Sequence, residues 1–299
     1  MRLAITHETR YSYSPAVQTA QHVAHLQPAD TPCQKVLSHS LHVEPAASVL
    51  HNVDAYCNHR AYWALNNPHD GLLVRACSEI ETSEIEQAKA TQSWESVREH
   101  FRYHGGLPAD VNNGFVFGSH HAPVHEAFTA YAQSSFTPGR ALMPAALELT
   151  ARMHRDFTYA SQSTDINTPA LEALQSQRGV CQDFAHILLA CLRSLGLPAR
   201  YVSGYLLTQP PPGQPRLVGS DASHAWASVY LPELASHACQ GWLDLDPTNN
   251  RCGLASPGLD YVRLAVGRDF ADVSPLRGVL QGGGEHTLDV AVTVAPLDE

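Results

Sequence analysis

Apolar and polar residues alternate from Leu3 to Tyr13, with Leu3, Ile5, His7, Thr9, Tyr11 and Tyr13 on one face and Ala4, Thr6, Glu8, Arg10 and Ser12 on the other. A period of two predicts a half-buried strand, and Pro15 is expected to end it. Short strand-like runs follow at 20–27, 35–43, 59–65 and 72–80, divided by Pro28, Pro32, Pro45, Asn66-Asn67-Pro68 and Asp70-Gly71. Strands separated by such turn signals predict a small antiparallel β-domain over residues 1–83, read as a structural or docking module.

The pattern changes after Ser83. Ser93 is placed to cap a helix carrying Trp94, Val97, Phe101 and Tyr103, closed by Gly105-Gly106. A second helical run covers 123–134, and Pro144 suits the first turn of a helix through Leu147, Leu149, Met153 and Phe157. Thr168-Pro169 repeats that signal for a short helix with Leu171 and Leu174 that stops at Gly179. From Cys181 the residues Phe184, Ile187, Leu188, Cys191, Leu192 and Leu195 step by three and four, the stripe of a helix laid on a core and closed by Gly196. Strands are then predicted at 199–207, 224–231 and 242–246, and in the tail at 261–266, 276–280 and 286–294. A run of prolines, 209–215, reads as an extended connector. Helices followed by strands argue for an α+β fold, with residues 84–299 as helical lead-in, core and C-terminal strands.

Composition narrows the classes. The 299 residues are 44% hydrophobic and 16% charged, enough to bury a sizeable core, and the net charge of −10 argues against a nucleic-acid or anionic-membrane partner. No run approaches the ~20 apolar residues of a membrane span, and Met1–His7 turns polar too early for a signal peptide. Seven cysteines with no C-x-x-C pair suggest neither a disulfide framework nor a zinc knuckle, so a reduced, cytoplasmic setting is expected. Eighteen histidines invite a metal, and His120, His121 and His125 cluster; no known ligand spacing is present, so they are read as solvated or core side chains and no metal or cofactor is expected.

Thiol catalysis needs an activated cysteine, an imidazole to share its proton and a group that fixes the imidazole. Cys181 falls at a helix start, where unsatisfied N–H groups favour thiolate over thiol and offer donors to an oxyanion. Cys191, on the apolar stripe, is read as core. His224, opening a strand in Ser223-His224-Ala225-Trp226, is the best base. The acid is Asp246 or Asp244, which share one strand face and are not separated by pattern; a solvated edge carboxylate is the plainer reading of Asp244. Gln182 either donates to an oxyanion or hydrogen-bonds locally, and Trp226 is a second candidate for oxyanion or substrate contact.

Three segments occur in the order Gly179-Val180-Cys181-Gln182-Asp183-Phe184-Ala185, Ser223-His224-Ala225-Trp226, and Gly241-Trp242 followed by Asp246-Pro247-Thr248-Asn249, with 43 residues from Cys181 to His224 and 22 from His224 to Asp246. In these motifs the chain resembles the bacterial branch of the transglutaminase-like superfamily of papain-like thiol enzymes. Leu197–Tyr205, His7–Ser14 and Gly267–Val273 look like further segments of that branch, so the resemblance spans nearly the whole chain. It implies a papain-like transglutaminase core, motifs within 178–250, preceded by a small β-domain. It also implies Cys181 as nucleophile, His224 as base then acid, and Asp246 rather than Asp244 as orienter. No match to the calcium sites of animal transglutaminases is visible. The segment 232–240 departs from a tight hairpin and carries His237 and Cys239, read as loop residues, Cys239 being a candidate redox-sensitive thiol.

The resemblance implies acyl transfer through a thioester on a peptide or protein substrate. Water as the second nucleophile makes a peptidase or amidase, and is favoured here; an amine makes a transglutaminase. A non-catalytic peptide-binding module and, more distantly, a metallohydrolase are the alternatives from other classes. Oligomeric state is not legible.

Overall fold

The computed structural model describes residues 1–102, 110–160, 168–208 and 223–297. Tyr103, Gly105-Gly106 and the proline-rich run of the sequence reading lie outside these residues.

Strand β1 (Arg2–Ala24) is the axis of the first sheet. Along one edge run β4 (His59–Leu65) and β5 (His69–Thr82), which pair with its second and first halves, respectively. Outside them lie β3 (Leu50–Val53) against β4 and β2 (Gln34–Glu44) against β5. Pro15 does not end β1. The pairing with β5 skips from Ser12 to Val17, and on the other edge Pro15 falls between two paired segments, so its missing N–H interrupts no ladder bond.

Five helices follow: α1 (Trp94–His100), α2 (Glu126–Gln133), α3 (Leu142–Asp156), α4 (Ala170–Ser176) and α5 (Cys181–Ser194). Ser93 caps α1 by accepting the Ser96 N–H, as its position suggested. Before and after α4 lie two-residue strands, β6 (Thr158–Tyr159) and β7 (Arg178–Gly179), paired in parallel. Helix α4 therefore stops at Gln177, whose φ of 51° turns the chain, two residues earlier than Gly179.

Helix α5 is buried along most of its length. Phe184, Ile187, Leu188, Leu189, Cys191 and Leu192 are at most 3% exposed, and burying a side chain of that size is worth about 1.5–3 kcal/mol. Its partner is an antiparallel sheet in the order β11-β10-β9-β8-β12, formed by β8 (Ala199–Leu206), β9 (Ser223–Tyr230), β10 (Trp242–Asp246), β11 (Arg251–Leu254) and β12 (Tyr261–Gly267). Alternation sorts the strand residues. Ala225, Ala227, Val229, Leu243 and Leu245 join the α5 core, while His224, Trp226, Ser228, Asp244 and Asp246 take the opposite parity. This is the α+β fold expected from the order of elements.

After β12 a short helix, α6 (Phe270–Val273), leads to β13 (Leu276–Gly282) and β14 (Glu285–Pro296). These two were expected with the catalytic unit. Instead they line the second edge of β1, β13 from Val17 to Ala24 and β14 from Leu3 to Ser14. Alternation marks a strand but not its neighbour, and here the paired residues, from Ala24 with Leu276 to Leu3 with Pro296, stand at opposite ends of the chain.

The first sheet meets the second through an apolar cluster that joins Leu3, Ile5 and Ile80 to Tyr205, Val262 and Leu264, and through two side-chain amides. Gln34 accepts the Arg263 N–H at 2.8 Å and donates to the Arg263 carbonyl at 2.9 Å; Asn58 does the same for Val266, at 2.8 and 2.7 Å. Each amide imitates a strand residue and covers the outer edge of β12. Replacing Asn58 by alanine leaves a buried N–H and carbonyl unpaired, and denaturant unfolding is expected to show a loss of about 2–4 kcal/mol. Among the described residues, no helix is long and apolar enough to cross a membrane.

Candidate active site

Cys181 is the first residue of α5, partly exposed at the end of a buried helix. The start is fixed by Asp183, whose Oδ2 accepts the Val180 N–H at 2.8 Å. Gly179 makes room for that carboxylate, since a Cβ there would stand 2.7 Å from Asp183 Oδ2. Gln182 shares the first turn and is half-buried, so either of its sequence readings survives.

His224 opens β9 and is 8% exposed. Its Nε2 lies 2.7 Å from Asp246 Oδ2, and Cys181 stands near enough to the ring to act on its pKa. With Nε2 engaged by the carboxylate, Nδ1 is the nitrogen left for the thiol. Burial would lower the His224 pKa, but the bond to Asp246 and the interaction with Cys181 outweigh it and push the pKa up to about 10. Asp246 is fully buried, which alone would raise its pKa; the bonds it accepts, His224 first, bring it below the usual carboxylate range. Oδ1 accepts the backbone N–H groups of Thr248 (2.8 Å) and Asn249 (3.3 Å). Oδ2 accepts Asn249 Nδ2 at 2.8 Å and the Tyr261 hydroxyl at 2.7 Å in addition to His224. Cys181, His224 and Asp246 are thus brought together at one end of α5.

Asp244 is a different matter from the solvated edge carboxylate expected of it. It is fully buried, and it accepts the Trp226 indole N–H at 2.9 Å and the Ser228 hydroxyl. This also corrects the reading of Trp226 as an oxyanion or substrate contact. Its single donor is used by Asp244, it is 1% exposed, and its ring lies behind His224 at 6.0 Å between centroids. Gly204, paired with His224, lets the indole approach; a Cβ there would be 2.6 Å from the Trp226 ring.

Other residues missed in sequence also border the site. Tyr159 lies on β6, which pairs with the strand that leads into Cys181; it is 54% exposed, and the Cys181 charge adds to burial in raising its phenol pKa. His125 accepts the Ala127 N–H at the start of α2, and His121 stacks on buried His186 at 5.1 Å. His186 itself, held neutral by burial with its pKa lowered to about 3, accepts the Phe270 N–H. Among the described residues no group of three or more His, Cys, Asp or Glu is placed to hold a metal. Cys239 is 2% exposed with its thiol against the Leu234 carbonyl, which removes the solvent access that a redox-sensitive thiol needs.

Residues 3–81 match the bacterial transglutaminase-like N-terminal region, and residues 129–247 match the transglutaminase-like superfamily. The chain belongs to the transglutaminase-like superfamily. Whole-length relatives of this transglutaminase-like chain occur in mycobacteria. Uncharacterized proteins of Mycobacterium tuberculosis and Mycobacterium bovis are each 38% identical over 304 residues, covering 99% of this chain and 93% of theirs. A 98-residue stretch is 32% identical to the protein-glutamine gamma-glutamyltransferase of Pseudomonas aeruginosa, covering 32% of this chain and 14% of that protein. A crystal structure from Cytophaga hutchinsonii, provisionally described as a cysteine protease, shares the transglutaminase-like fold with a TM-score of 0.75 at 21% identity, over 100% of this chain and 91% of that one.

Proposed function

We propose that the protein is a cysteine-dependent acyl-transfer enzyme that cleaves amide or peptide bonds through a thioester and releases the acyl group to water. The observation that carries this reading is the 2.7 Å pairing of His224 with buried Asp246 next to Cys181, the partly exposed first residue of α5. Superfamily membership and the provisional protease description of the Cytophaga hutchinsonii structure agree with it.

In this mechanism the Cys181 sulfur attacks the amide carbonyl, paired with a His224 imidazolium. The N–H groups of the first turn of α5, with Gln182 beside them, receive the charge on the carbonyl oxygen. The imidazolium then protonates the departing nitrogen as the C–N bond breaks, leaving a thioester and a neutral imidazole. The imidazole next takes a proton from water, the hydroxyl oxygen adds to the acyl carbon, and the thiolate is released beside a restored imidazolium. Asp246 stays ionised throughout and fixes the ring.

The name of the Pseudomonas aeruginosa relative favours the second reading, in which an amine replaces water. The two are separated by incubating the protein with an amide substrate and a labelled primary amine. The hydrolytic reading expects free acid as the main product; dominant incorporation of the amine would replace it with transamidation.

A further inference from the structure

We propose that Tyr261 is a positioning residue for the Cys181–His224–Asp246 chain, its hydroxyl holding Asp246 Oδ2 in the position from which that oxygen orients His224. The inference rests on the reading of Cys181 as a nucleophile given above.

The geometry is specific. Tyr261 is the first residue of the outer strand β12, yet its hydroxyl crosses to the end of β10 and donates at 2.7 Å to the same oxygen that meets His224. The ring is 2% exposed and stands edge-on to both Trp226, at 5.4 Å, and His224, at 5.8 Å. It is held from the far side by Arg251, whose guanidinium lies 4.7 Å from the ring centre and is gripped by Asp260. Burial and the Asp246 charge push the phenol far above its ordinary range, so it remains a donor wherever the protein is folded. Strand β12 is pinned in turn by Gln34 and Asn58 of the first sheet.

The groups facing Asp246 define the expected pH effect. His224 approaches from β9 with Cys181 of α5 beyond it, Arg251 from β11, and Tyr261 from β12; His154 of α3 meets the Thr248 carbonyl rather than the carboxylate. Removing the Tyr261 hydroxyl takes one donor from Asp246 without adding or removing a formal charge. With that oxygen less firmly placed, the imidazolium is held less closely beside Cys181, the thiolate loses part of its stabilisation, and the thiolate–imidazolium pair forms at higher pH.

The test is the pH dependence of alkylation by iodoacetamide in the wild type, Tyr261→Phe and Asn249→Ala, with Cys181→Ala identifying the labelled thiol. Both variants remove a donor to Oδ2, Asn249→Ala serving if Tyr261→Phe folds poorly. The expected result is an acid limb displaced to higher pH and a rate near neutrality lowered by about threefold to tenfold, with kcat for an amide substrate reduced and KM unchanged. Folded variants whose acid limbs superimpose on the wild type would overturn the role of Tyr261 while leaving the function intact. A wild-type Cys181 no more reactive than an ordinary exposed thiol would overturn the functional reading, and this proposal with it.

Discussion

Cys181→Ala is expected to abolish amide turnover, lowering kcat by at least about 10³–10⁴-fold, while unfolding free energy changes by no more than about 1 kcal/mol. The two effects separate because Cys181 is partly exposed at the helix start, at the edge of the core that fixes α5 rather than inside it. Deleting the thiol removes the nucleophile but opens no buried cavity. Cys191→Ala gives the contrast: it lies fully buried on the same helix, so its loss acts on stability and leaves the chemistry in place. Turnover of a fluorogenic amide together with thermal unfolding of both variants checks the pair. Activity that survives in Cys181→Ala would leave the thioester mechanism without its first step.

Asp246→Asn is the second large effect, expected to lower kcat by about 10²–10⁴-fold and to destabilise the fold by about 1–3 kcal/mol. Both carboxylate oxygens accept only from donors: Oδ1 from two backbone N–H groups, Oδ2 from His224, Asn249 and Tyr261. An amide in either orientation sets its NH₂ against donors and removes the charge that favours the imidazolium. The pH dependence of stability follows. A His224 pKa raised from 6.5 to about 10 contributes stability that is complete below pH 6.5 and is lost as pH rises toward 10. The lowered Asp246 pKa contributes stability present above its unfolded value of 3.8 and lost as pH falls through the folded value. Melting temperatures of the wild type should therefore fall between pH 6.5 and about 10 more steeply than those of Asp246→Asn; parallel curves would mean that the pair contributes little.

What the sequence disclosed about this site, and what it hid, divides along local and non-local lines. Cys181, His224 and Asp246 stand in short motifs, and each sits at the end of an element where a signal marks the place. The choice between Asp244 and Asp246 was closed to periodicity, because residues two apart on a strand share a face. Register decides it. Asp244 pairs with Ser228 and Leu245 with Ala227, so Asp246 falls level with Trp226 and is the acid nearer His224. That register is set by the connection through 232–240 and the positive φ of Gly241, neither of which alternation reports. Trp226 was misjudged for the same reason, since its one donor is claimed by a residue on another strand. Tyr261 carried no local signal beyond opening a strand, and its partner lies 15 residues back across the sheet. The tail showed strand periodicity, yet nothing nearby in sequence indicated that β1 was its neighbour.

That last pairing bears on the order in which the molecule can be assembled. The long first strand acquires β4 and β5 on one edge within its first 82 residues, but its other edge is completed only by residues 276–296. During synthesis the helices and the catalytic sheet are made while that edge is still bare, a row of unpaired backbone groups open to a wrong strand. Contacts of this sequence separation are also the slow ones to close. The amides of Gln34 and Asn58 likewise meet residues made 229 and 208 positions later, so the first sheet and the sheet that holds the site are each completed by chain made after residue 260.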